Sequence, residues 1–398
     1  MPRFEPFAGI RYDSERLVLD DVLAPPYDVI SAEDLAQLEA RSPNNAVRLE
    51  LPRDEATRDR YAAAQCRLDE WLASGVLVTD DGPSFYVYRM GFHDEAGRPR
   101  QTSGVIGALE LSLPGEGDVL PHERTMSKPK DDRLNLLRAC RANLSPVWGL
   151  SLAEGLSQLC ELPGPPTARG TDEDGVHHRL WRITQPGVIA TIAEAVSSAP
   201  VVIADGHHRY ETALHYRDER RQERGSSTPA DEDLLMAYVV ELSDEQLTVR
   251  PIHRLLSGLP DDFDLVDALA SSFEVFDGGP PTADLAARME DAGALGLVSG
   301  GQAWLLRPRG TVDADEGDAD RLDAALTSLP PHDVVYQHGV DHTLALIDKG
   351  EAQAAVLLRA TTVEQIASAA RARRRMPAKS TFFYPKPRTG LVFRRLAG

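Results

Sequence analysis

No stretch of this chain is fit to cross a bilayer as a helix, because its 398 residues contain no run of eighteen apolar side chains. The opening Met1-Pro2-Arg3-Phe4-Glu5 carries no apolar signal segment, so a cytoplasmic location is expected. Cysteine is scarce. Cys66, Cys140 and Cys160 form no CxxC pair and no zinc spacing, which argues against a zinc ribbon and against a disulfide framework. Positive charge is also short. Lys and Arg number 43 against 62 Asp and Glu, a formal net charge of −19. Such a surface favours solubility and opposes a broad nucleic-acid footprint, which needs cations to face phosphates. The Gly-x4-Gly-Lys pattern of a Walker A loop is missing. His332, His338 and His342 lie close to Asp333 and Asp341, but no pair has the HExxH form, and backbone or water satisfies such groups more often than a metal does. No internal repeat is visible.

What is present reads as an ordinary globular protein, 42% hydrophobic and 26% charged. The length exceeds the size at which one core keeps growing, so two or three lobes are expected. Ser31 suits the cap of a helix starting Ala32-Glu33-Asp34-Leu35, with acids in its first turn. A second helix is expected from about Asp54 to Ala73. Residues 85–90 and 102–113 read as strands around a turn at Asp94–Arg98. Further helices are expected over 131–143, 189–198, 263–276 and 282–292. Further strands are expected over 147–151, 178–183 and 234–242, and at Leu297-Val298, 303–306 and 354–358. Residues 162–170 and the acidic stretch 313–320 read as loops. The alternation of strand and helix is that of an α/β protein.

The most chemical stretch begins at Val201-Val202-Ile203-Ala204, which reads as a buried strand. Asp205-Gly206-His207-His208-Arg209 follows, and the next residues suit a helix. A strand-to-helix turn of this kind usually grips an anion, because the first helical turn has free N–H groups and a positive dipole end. Gly206 permits close backbone approach, and Arg209 offers a fork for phosphate. A second charged stretch runs from His122-Glu123 through Lys128 and Lys130 to Arg133. It suits either a catalytic segment with phosphate clamps or a charged loop entering a capped helix. A third, Met376 to Lys386, holds Lys379-Ser380-Thr381 ahead of Phe382-Phe383-Tyr384. It suits either a ligand-binding turn or an edge strand with a snorkelling lysine. Tyr27-Asp28 after two prolines is a rigid turn, placed either to approach a pocket or to fix the first strand. The run Arg371, Arg373, Arg374 and Arg375 is a local basic patch or a solvated helix end.

These landmarks carry a resemblance. The segments 24–30, 122–133, 204–209 and 376–386 resemble those of a large bacterial domain-of-unknown-function family with an Ala-Asp-Gly-His-His-Arg signature. The signature itself resembles the turn of the ParB/sulfiredoxin-like fold, in the variant found in free serine kinases. The resemblance implies an α/β protein with a ParB/sulfiredoxin-like core and additional α+β lobes. It implies an N-terminal lobe over 1–115, a core carrying the phosphate-binding turn over 116–260, and a C-terminal lobe over 261–398 that contributes Lys379-Ser380-Thr381. By the same resemblance Gly206, His207, His208 and Arg209 hold nucleotide phosphates, assisted by Lys128, Lys130, Arg133, Lys379, Ser380 and Thr381. Glu123, beside His122, matches a general base, and Asp205 a Mg²⁺ ligand or hydroxyl-positioning group. The turn lacks the cysteine of sulfiredoxins and the arginine-rich form of ParB CTPases. The implied activity is phosphoryl transfer from ATP or ADP, with Mg²⁺, to a small hydroxyl compound, free L-serine leading. The alternative is a nucleotide-binding regulatory protein without kinase turnover. Neither a membrane nor a nucleic acid is an expected partner.

Overall fold

The computed structural model describes residues 1–123, 131–226, 228–310 and 317–396. The chain divides into two compact units. The first comprises Met1–Pro121, Thr125–Leu247 and Pro385–Gly398; the second comprises His122–Arg124 and Thr248–Tyr384. Strands from 1–115 and from 116–260 share one sheet, because Pro and Gly mark the loop at 114–118 but do not say which strands pair across it.

In the first unit, nine strands of the described residues form a mixed sheet. Val201–Asp205 runs parallel to Val119–Pro121 and antiparallel to Val147–Ser151. Val147–Ser151 runs parallel to Leu234–Glu241, which pairs antiparallel with Pro99–Glu110. The sheet continues antiparallel through Phe85–His93 and His177–Ile183 to Ala168–Thr171. Val201, Val202 and Ile203 are almost fully buried, so this run has no solvent face and reads as continuously apolar. Its residues pack with Ile192 and Val196 of helix Pro186–Ser197 and with Tyr210, Ala213 and Leu214 of helix His207–Arg224. A smaller sheet orders Leu77–Thr79, Gly9–Tyr12, Phe393–Arg395 and Ala142–Asn143. This sheet recruits the end of the described chain into the first unit.

The second unit is an antiparallel six-stranded sheet in the order 273–279, 302–308, 295–299, 354–357, 253–257, 333–337. Its core gathers Leu256, Leu297, Leu306 and Val356 against Leu322 of helix Asp318–Leu326. A two-stranded ladder joins Thr248–Arg250 to Phe382–Tyr384.

Local expectations held where the signal was chemical. Ser31 caps helix Ala32–Arg41 through a reciprocal box with Asp34. The second helix starts at Arg60 rather than near Asp54, because Asp59 accepts from the amides of Tyr61 and Ala62 and so fixes the start. The helix expected over 263–276 is corrected: Leu265–Leu269 is one short turn of helix, and Phe273–Gly279 is a strand pairing with Gln302–Pro308. Phe273, Val275 and the ladder they enter override a weak helical period. The stretch read as a loop over 162–170 ends in the edge strand Ala168–Thr171. Asp318 begins a helix inside the acidic stretch, with residues 313–316 outside the described set.

Candidate functional site

The turn after Val201–Asp205 forms as its residues dictate. Gly206 takes φ +91°, a left-handed conformation that side chains rarely adopt, and a Cβ there would sit 3.0 Å from the Arg209 guanidinium. Helix His207–Arg224 starts at the next residue, and no side chain caps it. Its first amides lie at the positive end of its dipole.

Charges converge on this turn from distant parts of the first unit. Arg209 donates from Nη2 to Asp205 Oδ2 at 2.8 Å and from Nη1 to the Pro146 carbonyl at 2.5 Å. Its Nε is buried and has no hydrogen-bond partner among the described residues. Lys386 donates to Asp205 Oδ1 and lies 3.6 Å from Asp28 Oδ2. Burial alone would raise the Asp205 pKa, but the Lys386 and Arg209 charges outweigh it and hold the carboxyl at about 2. Burial would lower the Lys386 pKa, and Asp205 with Asp28 reverses that into a rise. Arg133 stacks its guanidinium 4.6 Å from the Tyr27 ring centroid and donates to the Glu50 carbonyl at 2.7 Å. Arg133, Arg209, Glu50 and Ser145 line an open cleft with room of about 60 Å³.

A second cluster lies in the second unit. The Glu123 carboxylate accepts from the Lys379 amide at 3.1 Å, the Ser380 hydroxyl at 3.3 Å and the Thr381 amide at 3.2 Å. The Thr381 hydroxyl lies 2.8 Å from the same carboxylate and 2.8 Å from His122 Nε2. Lys379 takes φ +60° to aim these donors inward. Beneath the turn, the fully buried Arg254 donates to the Lys379 carbonyl at 3.1 Å.

A family model described as protein of unknown function (DUF1015) matches residues 4–325. The chain belongs to this family. No curated protein matches it. Among solved structures, a conserved hypothetical protein from Pyrococcus furiosus is 16% identical, with 69% of this chain and 92% of that chain covered and a TM-score of 0.36. A free serine kinase mutant in complex with ADP is 16% identical, with 67% and 84% covered and a TM-score of 0.37. SbnI with C-terminal truncation, from Staphylococcus aureus, is 10% identical, with 72% and 85% covered and a TM-score of 0.37.

In this DUF1015 chain the sequence-expected residues fall into two groups. Asp205, Gly206, His207, His208, Arg209 and Arg133 lie in the first unit; His122, Glu123, Lys379, Ser380 and Thr381 lie in the second. Lys128 and Lys130 lie outside the described residues. Asp28 and Lys386 are the residues that sequence reasoning did not assign to the site. The Tyr-Pro-Lys-Pro-Arg run around Lys386 was the available signal, since flanking prolines fix a lysine's backbone at little entropic cost. The histidines considered for metal have other neighbours. His332 Nδ1 lies 2.8 Å from the Pro330 carbonyl, and the His338 ring stacks 4.0 Å from Phe382. Among the described residues no group of three His, Cys, Asp or Glu is arranged for a metal ion. Helix Val363–Arg371 ends in the basic run, and Arg371 pairs with Glu364 at 3.2 Å, the arrangement of a solvated helix end.

Proposed function

We propose that this DUF1015 protein binds ATP or ADP through the Asp205–Arg209 turn and transfers a phosphoryl group to a small hydroxyl compound, free L-serine leading. The carrying observation is Arg209. It stands at the start of a helix that no described side chain caps, its buried Nε has no hydrogen-bond partner among the described residues, and Lys386 pairs with the other oxygen of the same aspartate. Two cations and outward helix amides form a receptor for phosphate oxygens. The proposal includes the ParB/sulfiredoxin-like core that the signature turn suggests.

In the transfer the acceptor oxygen forms a new P–O bond, the bond to the leaving nucleotide breaks, and the hydroxyl proton passes to a base. Glu123 is the proposed base, with His122 holding Thr381 beside it. Arg209 and Lys386 neutralise phosphate charge, and Gly206 lets the backbone approach. Mg²⁺ at Asp205 fits the residues poorly. Both carboxylate oxygens are already engaged, Oδ1 by Lys386 and Oδ2 by Arg209, so no step here is routed through a metal.

One observation favours the regulatory alternative. Glu123 accepts hydrogen bonds from the Lys379–Thr381 turn on both oxygens, which leaves a weaker base than an open carboxylate. Two measurements separate the readings. Calorimetric titration with ATP and ADP should show binding that Arg209→Ala weakens by ~1.5–3 kcal/mol, the range for hydrogen bonds to charged groups. Unchanged affinity in a folded variant would remove the turn from the site. Product analysis with L-serine should then show O-phosphoserine. Tight nucleotide binding with no product from any hydroxyl acceptor tried would establish the regulatory reading.

A further inference from the structure

The Lys379–Thr381 turn is built like an oxyanion receptor, and a carboxylate already fills it. Two backbone amides, of Lys379 and Thr381, and two hydroxyls, of Ser380 and Thr381, converge on Glu123. Successive main-chain donors around a left-handed residue make a concave nest for anions, and Lys379 at φ +60° supplies that residue. Ser380 and Thr381 are buried, so their hydroxyls are aimed rather than solvated, whereas Lys379 is exposed and adds a cation at the rim.

A second observation points the same way. Arg254 is 0% exposed and sits under the turn. Its Nη1 donates to the Ile252 and Lys379 carbonyls, but its Nε and Nη2 have no hydrogen-bond partner among the described residues. The nearest carboxylate, Asp323, stands 3.8 Å away and is partly exposed. The Tyr336 ring, 4.6 Å away, offers only its π face, and a buried guanidinium with no closer anion is costly unless negative charge is held near it. Glu123 supplies that charge in the ligand-free protein. Any ligand carboxylate or phosphate offers the same acceptors and the same charge.

We infer that the Lys379–Thr381 turn is a binding site for a ligand oxyanion, and that Glu123 is its internal occupant, displaced when the ligand's anionic group arrives. The inference rests on the proposed function in one respect: displacement frees the carboxylate to act as the base, so the acceptor's own anion would switch on its activation. The site itself stands without that step. The shared chemistry is an oxyanion, either the carboxylate of an amino-acid acceptor or a phosphate.

The experiment uses the full chain and two probes, inorganic phosphate and L-serine, titrated by calorimetry. Glu123→Ala empties the turn. Its affinity for at least one probe should rise by about tenfold or more, the weight of one charge-assisted hydrogen bond. Adding Thr381→Val to Glu123→Ala should abolish the gain, because it deletes the donor nearest Glu123. A gain for L-serine assigns the turn to the acceptor, and a gain for phosphate assigns it to the donor or product. No gain for either probe in a folded Glu123→Ala variant, or a gain that survives Thr381→Val, overturns the inference. If Glu123→Ala does not fold, Glu123→Gln replaces it. Loss of the negative charge should still raise probe affinity by several-fold, and an unchanged affinity then overturns the inference. Repeating the pair in an Arg209→Ala background separates the two claims. A gain that persists there belongs to this turn, whether or not the Arg209 turn binds nucleotide.

Discussion

Lys386 is the sharpest place to test the charge cluster, because the structure assigns it an energetic consequence of definite sign. Replacing it by Met keeps the apolar stem and removes the ammonium that pairs with Asp205. Asp205 is held at about 2 against an ordinary 3.8, although burial alone would raise it. A carboxyl held below its ordinary range stabilises the folded state near neutral pH, by on the order of 1–3 kcal/mol. Arg209 remains on the other carboxylate oxygen, so Lys386→Met should cost on the order of 1–3 kcal/mol at pH 7. A depressed carboxyl pKa stabilises the folded state fully above pH ~4 and loses that contribution as pH falls through about 2. The gap between wild type and variant should therefore be widest at pH 7 and narrow toward pH ~2.5. Urea unfolding followed by tryptophan fluorescence reads this, with Trp71, Trp148 and Trp181 in the first unit and Trp304 in the second. An equal gap at both pH values would mean lost packing rather than lost charge. No gap at pH 7 would mean that the Lys386–Asp205 pair contributes nothing.

Other expectations follow from the same geometry. Glu123→Gln should leave nucleotide affinity within about a factor of three and lower single-turnover phosphoryl transfer by ~10²–10⁴; near wild-type transfer would exclude Glu123 as the base. Lys379→Gly should hold or raise the melting temperature of the ligand-free protein, because glycine accepts positive φ, whereas Lys379→Val should cost ~1 kcal/mol or more; the reverse order would contradict the strained turn. Thiol labelling of the native protein should modify Cys66 first, since burial pushes Cys140 and Cys160 up to about 12; equal rates at all three would contradict that burial. The buried His178 lies 2.9 Å from Asp172 and 2.8 Å from the Tyr88 hydroxyl, and burial lowers its pKa despite that aspartate. Below pH ~6.5 the unfolded chain takes this proton before the folded one, so stability should fall, and His178→Gln should flatten that part of the profile. His253, pushed down to about 4 by burial, should keep its own share of the acid slope in that variant.

Local chemistry made much of the fold legible, and distance hid the rest. Ser31 and Asp34, three residues apart, specify a cap wherever they occur. Val201–Asp205, Gly206 and the helix after them announce themselves because strand, turn and helix signals follow without a gap. Phe273–Gly279 misleads because a few apolar residues fit both periods, and its partner strand lies well ahead in the chain. The site shows the same division. Asp205, Gly206 and Arg209 share one turn and could be read together. Lys386 meets Asp205 across 181 residues, and Glu123 meets Thr381 across 258, so neither pairing leaves a trace in spacing. The landmark segments contain the residues of both clusters, Asp205 to Arg209 in one and Glu123 with Lys379 to Thr381 in the other. They did not show that Glu123 is already spoken for, which only the hydrogen bonds reveal.

The charge balance at the first-unit turn is what the proposed phosphate receptor would need in so acidic a chain. Arg209, Lys386 and Arg133 face Asp205, Asp28 and Glu50, so the cations are compensated in the ligand-free state. Uncompensated, three buried or half-buried cations would repel one another and cost several kcal/mol. With the acids present they are folded into place and shielded from the −19 of the whole chain. A phosphate would not find them idle. It must compete with Asp205 for Lys386 and Arg209, and the advantage it holds is more charge and more acceptor oxygens than one carboxylate. The uncapped helix start and the unpartnered Arg209 Nε are what the aspartate cannot satisfy, and they give the competition its direction. The Lys379–Thr381 turn follows the same logic, with Glu123 as the internal anion and Arg254 as the cation beneath. In both units, a carboxylate of the chain holds ready the donors that a ligand anion would take.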